Sequence, residues 1–338
     1  MCPRIEFEGS SYDLLPGETV LAGLTRQGVE LPSFCRTGVC QTCLVRATRG
    51  TPTASSQAGV AASWVERGCF LACQCIPEGP LAVERSDVFG TFTSRVVRVE
   101  QLSQRVLRVE LEVPAGFEYR GGQFLQLERA GGVMRPYSIA SLPGSGRLEL
   151  HVALLPGGLM SQWLRTATDQ PVTLRGPFGE CFYLEREPER PLLLAGTGTG
   201  LAPLLAVTRA ALAAGHRGPI HLYHGSTSVE GLYLWRELLE LVEAAPQLRV
   251  FGSVLPAPGT AAPSGASPAA AAASPSRCQL LHRPLERLIL DDPLDCFDCR
   301  VYLCGDPGLV QRLRQRVYLC GAPLARIHCD PFVAPSPG

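Results

Sequence analysis

The chain has 338 residues, 46% hydrophobic and 18% charged, a composition that belongs to a globular protein. That length exceeds what one small core can organise, so two or three units are expected. The 31 basic and 31 acidic side chains cancel, which argues against a general affinity for nucleic acid or anionic membrane, and no stretch approaches the roughly 18 apolar residues of a membrane span.

The chain opens on Met1-Cys2-Pro3-Arg4-Ile5-Glu6, which lacks the apolar core of a secretory signal. Its fourteen cysteines are therefore expected in the reducing cytoplasm, where a disulfide framework is disfavoured. From Ile5 to Val83 the sequence is rich in Gly and Cys, with short strand-like runs, and reads as a small α+β unit. Cys35, Cys40 and Cys43 are spaced C-x4-C-x2-C, and Cys73 follows Cys43 after 29 intervening residues. This is the ligand spacing of plant-type 2Fe-2S sites, in which each iron takes two thiolates and backbone N–H groups point at the sulfurs. Zinc is the bland alternative, but it favours paired C-x2-C knuckles, and only Cys40 and Cys43 make one. Gly38 lets the backbone turn close to the cluster. Cys69 and Cys75 compete with Cys73 for the fourth position.

On these residues the segment from about 5 to 85 resembles the ferredoxin domains of oxygenase reductases. The resemblance implies a β-grasp ferredoxin domain, and its Leu-x-Cys-Gln context, here Leu71-Ala72-Cys73-Gln74, favours Cys73 as the fourth ligand. Cys69 and Cys75 are then packing thiols. Gln41 stands where many relatives have Gly, a departure that touches no ligand.

From about Phe92 to Leu184 apolar and polar residues alternate, as in Val106-Leu107-Arg108-Val109-Glu110-Leu111 and Leu148-Glu149-Leu150-His151-Val152. Short strands broken by Gly and Pro predict a small antiparallel barrel. Arg135-Pro136-Tyr137-Ser138 follows the strand-like Gln123–Leu127 and resembles the Arg-x-Tyr-Ser signature of the ferredoxin-NADP reductase superfamily. Every basic residue is arginine, so a phosphate clamp must use Arg or backbone N–H groups. Arg135 can clamp a pyrophosphate, Tyr137 can pack on the isoalloxazine, and the Ser138 hydroxyl can hydrogen-bond near flavin N5, where hydride arrives. Gly158 and Ser161, in Gly157-Gly158-Leu159-Met160-Ser161, resemble the family's Gly-x-x-Ser phosphate loop at a helix N-terminus. Gly176-Pro177-Phe178-Gly179 matches its Gly-Pro-x-Gly turn. FAD is implied rather than FMN, because relatives with an N-terminal ferredoxin domain use FAD.

From Pro191 strands alternate with helices: Leu192–Ala195, a helix from about Ala202 to Ala214, then Ile220–Tyr223, Leu248–Leu255 and Val301–Cys304. This predicts a doubly wound parallel sheet. Gly196-Thr197-Gly198-Thr199-Gly200-Leu201-Ala202-Pro203 sits where a pyrophosphate-binding βα turn is needed and resembles the superfamily's Gly-x-Gly-x-Gly-x-x-Pro. Cys304-Gly305-Asp306-Pro307 resembles its Cys-Gly-x-Pro, which implies that Cys304 lies beside the nicotinamide, and Asp330-Pro331-Phe332 resembles its terminal Asp-x-Phe. Between Tyr223 and Tyr233 there is no Arg, and Glu230 would repel a ribose 2′-phosphate, which favours NADH over NADPH. His221 and His224 read as packing residues. Residues 256–277 are almost wholly Pro, Ala, Gly, Ser and Thr and predict a disordered insertion. Val-Tyr-Leu-Cys-Gly occurs at 301–305 and 317–321, the first copy as a buried strand and the second ending an amphipathic helix whose Leu309, Leu313 and Val317 share a face.

The order of motifs is that of the reductase components of bacterial multicomponent oxygenases. It implies a 2Fe-2S domain over 1–88, an FAD-binding barrel over 89–187 and an NAD(P)H-binding α/β domain over 188–332. Ser138 and Cys304 are the expected catalytic residues. Arg135, Tyr137, Gly158, Ser161, Gly196, Thr197, Gly198, Gly200, Gly305, Asp306 and Phe332 are the further cofactor contacts. The expected activity carries electrons from NADH through FAD and the cluster to an acceptor protein, an oxygenase component by resemblance. Two alternatives are a reductase for a deoxysugar-type dehydratase and a redox-sensing protein that has lost turnover.

Overall fold

A computed structural model of the chain describes residues 4–60, 62–86, 90–255 and 277–333. The insertion expected at 256–277 therefore falls outside the described residues up to position 276. Among the described residues no helix is long and apolar enough to cross a membrane. The chain forms two compact units, one running to Thr91 and the other from Phe92 to Phe332.

The first unit runs β1 (Arg4–Phe7), β2 (Ser10–Asp13), α1 (Val20–Arg26), β3 (Leu44–Arg49), α2 (Ala62–Val65), β4 (Cys69–Leu71) and β5 (Leu81–Arg85). Its sheet order is β2-β1-β5-β3-β4, with β1 parallel to β5, so the first and last strands of the unit lie side by side. Thr19 starts α1 by accepting the Ala22 N–H on its hydroxyl at 3.2 Å, the usual use of Thr at a helix N-cap. Val20, Leu21 and Leu24 of that helix then meet Ile5, Phe7, Val45, Leu81 and Val83 in one apolar core. No helix or strand forms between α1 and β3, and this irregular stretch carries three of the motif cysteines.

The second unit begins with β6 (Thr91–Ser103), β7 (Val106–Glu112), β8 (Phe124–Arg129), β9 (Val133–Ser138), β10 (Arg147–Ala153), α3 (Leu159–Leu164) and β11 (Pro171–Phe178). These strands are ordered β10-β7-β6-β11-β8-β9, and an antiparallel bridge from Ile139 to Leu150 joins the two ends. The result is the antiparallel barrel that the alternation predicts: Leu107, Val109 and Leu111 are buried, whereas Arg108 and Glu110 are partly exposed. The segment matched to a Gly-Pro-x-Gly turn differs from expectation. Gly176, Pro177 and Phe178 form the irregular end of β11, whose register against β8 shifts between Arg175 and Phe178.

The chain continues with β12 (Leu192–Thr197), α4 (Leu201–Ala213), β13 (Ile220–Ser226), α5 (Trp235–Ala244), β14 (Leu248–Val254), β15 (Cys278–Leu281), α6 (Leu285–Leu290), β16 (Arg300–Gly305), α7 (Pro307–Leu319) and β17 (Ile327–Pro331). The sheet is parallel throughout, in the order β15-β14-β13-β12-β16-β17. Both faces are covered. Leu192 and Leu194 pack with Leu204 and Leu205 of α4 and Leu238 of α5. Leu193 and Ala195 turn the other way, onto Leu288 of α6 and Leu313 and Val317 of α7. This two-sided burial is why the strands read as unbroken apolar runs. The two copies of the repeated pentapeptide take different forms, one in the wholly buried β16 and one ending α7, with Gly321 in the left-handed region at φ +101°. Chain order reverses between β12 and β16, so the crevice for a ligand opens at their C-terminal ends.

Candidate functional site

The cysteine loop is wound tightly by three residues in the left-handed region: Arg36 at φ +54°, Gly38 at +84° and Gln41 at +55°. Gly38 is favoured by its φ, and a Cβ there would also stand a tight 3.1 Å from Cγ of the Gln74 side chain. Gln41 adopts a left-handed backbone conformation of the kind that suits glycine. Its side-chain amide donates to the Gly59 carbonyl at 2.9 Å.

Cys35, Cys40, Cys43 and Cys73 are all buried. They come together in pairs, Cys35 with Cys40 and Cys43 with Cys73. A hydrogen bond from the Cys40 thiol, with further bonds from Thr37, brings Cys35 down to about 4. The corresponding bond from Cys43 brings Cys73 to about 7, against the pull of burial. Backbone N–H groups already point at the sulfurs: Cys40 and Thr37 donate to Cys35 Sγ at 3.3 and 3.4 Å, and Cys35 donates to Cys40 Sγ at 3.4 Å. The Thr42 hydroxyl donates to Cys40 Sγ at 3.0 Å. Among the described residues no three His, Cys, Asp or Glu side chains converge as one metal ion would require. Two pairs of sulfurs suit a binuclear cluster, with two thiolates to each iron, better than a tetrahedral zinc site. Cys69 and Cys75 are fully buried in the apolar core of the sheet.

On the barrel, the register of β8 against β9 sets Arg135 opposite Leu127, Tyr137 opposite Leu125 and Ser138 opposite Phe124. Arg135 and Tyr137 stay partly exposed while Ser138 is buried. The Ser138 hydroxyl donates to Asp330 Oδ2 at 3.0 Å, tying the barrel to the last strand of the parallel sheet. Burial pushes the Asp330 carboxyl up to about 6, and the Ser138 hydrogen bond only partly offsets this. Gly158 is the N-cap of α3. Ser161 closes the loop on itself, its Oγ accepting the Leu155 N–H at 3.2 Å and donating to the Gly158 carbonyl at 3.4 Å.

At the switch point Gly196 lies in register with Cys304. A Cβ on Gly196 or Gly200 would come within 2.7 or 2.6 Å of the Cys304 carbonyl, and one on Gly305 within 2.6 Å of the Thr197 carbonyl. The glycines therefore let the two strand ends and the loop between them approach closely around the crevice. Thr197 Oγ1 accepts the Asp306 N–H at 3.3 Å, and Asp306 caps α7 by accepting the Leu309 N–H at 2.8 Å. Cys304 is fully buried, its sulfur 3.4 Å from that of Cys181. The Phe332 N–H donates to the Gly305 carbonyl at 2.7 Å, so the terminal Asp-x-Phe segment returns to the same crevice.

A buried polar relay crosses from barrel to sheet, and sequence reasoning did not find it. Glu149 lies within 3.2 Å of Arg108 and 3.5 Å of Arg209. Burial opposes its charge, but the His151 hydrogen bond and the two arginines hold its carboxyl down at about 2. His151 Nε2 lies 2.7 Å from Glu149 Oε1 and its Nδ1 lies 3.1 Å from the Tyr233 hydroxyl. A carboxylate can only accept, so the Nε2 proton goes to Glu149 and Nδ1 accepts from Tyr233. The Tyr233 ring stands edge-on to His224 at 5.5 Å, and His224 Nε2 donates to the Gly198 carbonyl at 3.1 Å. No spacing rule signals these contacts, because partners such as His151 and Tyr233 lie 82 residues apart.

Three family models match the chain in succession. They are a 2Fe-2S iron-sulfur cluster binding domain over residues 5–78, an oxidoreductase FAD-binding domain over 93–183 and an oxidoreductase NAD-binding domain over 194–315. The chain is 30% identical over 332 residues to the ferredoxin–NAD(P)(+) reductase component of the naphthalene 1,2-dioxygenase/salicylate 5-hydroxylase systems of Ralstonia sp, with 94% of each covered. It is 30% identical over 337 residues to the toluate 1,2-dioxygenase electron transfer component of Pseudomonas putida, covering 95% of this chain and 94% of the relative. Among solved structures it is similar to the cytochrome P450 reductase GcoB of Amycolatopsis, with a TM-score of 0.65, 27% identity and 98% of each chain covered.

Proposed function

The chain belongs to the family of electron-transfer reductase components built from a 2Fe-2S domain, an FAD domain and an NAD domain, and on that footing we propose that it carries electrons from NADH to an oxygenase component. It is an NAD(P)H-dependent oxidoreductase whose cofactors are a 2Fe-2S cluster, FAD and a nicotinamide dinucleotide. When bound, these supply hydride, divide its electron pair and pass the electrons on singly.

The protein's own work is positioning. In our reading Cys35 and Cys40 hold one iron and Cys43 and Cys73 the other. Arg135 clamps the flavin pyrophosphate, with the Gly158–Ser161 loop beside it. Tyr137 packs on the flavin ring, and Ser138 presents its hydroxyl to the reacting edge while Asp330 accepts from it. Gly196, Thr197, Gly198 and Gly200 cradle the nicotinamide pyrophosphate, and Cys304, Gly305, Asp306 and Phe332 line the place of the nicotinamide. The domain limits that go with this reading are 1–88, 89–187 and 188–332.

The observation that carries it is the 3.0 Å bond from Ser138 to Asp330, which joins the barrel strand of the proposed flavin motif to the last strand of the parallel sheet. NADH is preferred to NADPH because β13 ends in a stretch with no basic side chain, where the Glu230 carboxylate is exposed. The relatives named above serve oxygenase systems, which favours an oxygenase component as acceptor over a deoxysugar-type dehydratase. The cytoplasm is the proposed location, a reducing setting that suits the thiols of the described cysteines. Initial rates of cytochrome c reduction with each dinucleotide test the reading. NADH is expected to exceed NADPH in kcat/KM by about tenfold or more, as one unfavourable phosphate–carboxylate contact implies. A preference for NADPH would contradict it, and absence of turnover with either would revive the sensor alternative.

A further inference from the structure

His224 sits at the end of β13, in register with Gly196 of the dinucleotide loop, and none of its surface is exposed. Its Nε2 donates to the Gly198 carbonyl, which leaves Nδ1 as the acceptor nitrogen of a neutral ring. That Nδ1 is buried and has no hydrogen-bond partner among the described residues. An unmet polar atom in the interior costs stability, and an apolar side chain here would avoid the cost. The residue therefore gives up stability for something, and among the described residues the Gly198 carbonyl is its one hydrogen-bond partner.

The geometry of the peptide shows what that contact can do. In a trans peptide the C=O and the following N–H point in opposite directions. Fixing the Gly198 carbonyl toward buried His224 therefore turns the Thr199 N–H away from it. The Leu201 N–H, donating to the same carbonyl, holds the plane from a second side. Gly198 itself is in the left-handed region at φ +53°, with nothing within 4 Å of a Cβ built on it, so side-chain packing does not hold this residue. His224 is anchored in turn. Its ring meets Tyr233 edge-on, and Tyr233 is hydrogen-bonded to His151 of the barrel at 3.1 Å.

We propose that His224 is a positioning residue for the nicotinamide cofactor: by holding the Gly198–Thr199 peptide it presets the loop to receive the pyrophosphate. The inference rests on the assignment of the Gly196–Gly200 loop to that pyrophosphate. Preorganisation of this kind acts on affinity, since an ordering cost met in folding is not met again on binding. Burial also brings the His224 ring down to about 4, so the donor stays neutral and the contact persists across the working pH range.

The test compares the full-length holoprotein with His224→Leu and His224→Gln variants. Binding of ADP-ribose, which carries the pyrophosphate, is measured alongside kcat and KM for NADH. Loss of one loop-setting hydrogen bond is expected to weaken ADP-ribose binding and raise KM for NADH about tenfold in the Leu variant, with kcat at saturation within about twofold. Gln, which keeps an N–H donor, is expected to recover a large part of that loss. Equal ADP-ribose affinity in the parent and the Leu variant would overturn the role of His224 and leave the loop assignment standing. Failure of ADP-ribose to compete with NADH in the parent would overturn the loop assignment itself. A Leu variant that loses kcat and thermal stability together with affinity, with no recovery by Gln, would reduce His224 to a packing residue and overturn the proposal.

Discussion

Ser138, at the end of a barrel strand, and Asp330, 192 residues later on the last strand of the parallel sheet, share a hydrogen bond of 3.0 Å. The carboxyl stands at about 6 instead of its ordinary 3.8, because burial favours the neutral acid. A raised folded pKa gives stability that is fully present below 3.8 and is lost as pH rises through about 6. Asp330→Asn, which stays neutral, is expected to gain on the parent by about 1–2 kcal/mol between pH 5 and pH 8, discounted for the partial exposure of the group. Thermal unfolding of both proteins across that range checks this, and a stability difference independent of pH would count against the burial of Asp330.

At the cysteine loop the Thr42 hydroxyl donates to Cys40 Sγ. Hydrogen bonds to thiolates favour the more negative, reduced form of an iron-sulfur centre. Thr42→Val is therefore expected to lower the cluster potential by about 40 mV, corresponding to about 1 kcal/mol for a one-electron couple. A redox titration followed by electron paramagnetic resonance reads the shift directly. An unchanged or raised potential would contradict the ligand role of Cys40.

Much of this architecture is legible in the sequence, for local reasons. The alternation of Val106–Leu111 gives the barrel, and the unbroken apolar run of Leu192–Ala195 gives a central parallel strand, because each pattern is set by which faces are covered. The cysteine spacing is legible for the same reason, since three of the four sulfurs sit on one short loop. What could not be read is what tertiary structure alone creates. In the sequence Asp330 stands out only as part of a terminal motif, and His224 resembles a packing residue, because its partner is a backbone carbonyl that no side-chain pattern announces. The irregular end of β11 at Gly176-Pro177 carries a turn signal in the sequence, because Gly and Pro signal a break without saying whether the strand resumes.

The relay through His151 carries a stability prediction. Tyr233→Phe removes the donor to Nδ1 of a fully buried His151 while keeping the edge-on rings, so it isolates the hydrogen bond. A loss of about 1–3 kcal/mol is expected from the orphaned nitrogen. Denaturant unfolding measures it, and a change below about 0.5 kcal/mol would mean that water replaces the hydroxyl.

Arg135 is the proposed clamp on the flavin pyrophosphate, and Lys cannot replace its planar fork. Arg135→Ala is expected to weaken FAD retention by about 10–100-fold, the scale of a charge-assisted hydrogen bond or pair of bonds. Flavin fluorescence released on dilution measures this. Retention equal to the parent would move the clamp elsewhere.

The central claim is a single electron path that begins at NADH and leaves through the four cysteines. Anaerobic titration of the holoprotein with NADH, followed by optical absorption and electron paramagnetic resonance beside a Cys73→Ser variant, tests it most directly. The expected result is flavin bleaching in both proteins and a reduced 2Fe-2S signal in the parent alone. Bleaching without a cluster signal in either protein would contradict the assignment of Cys35, Cys40, Cys43 and Cys73 and leave only a flavin reductase.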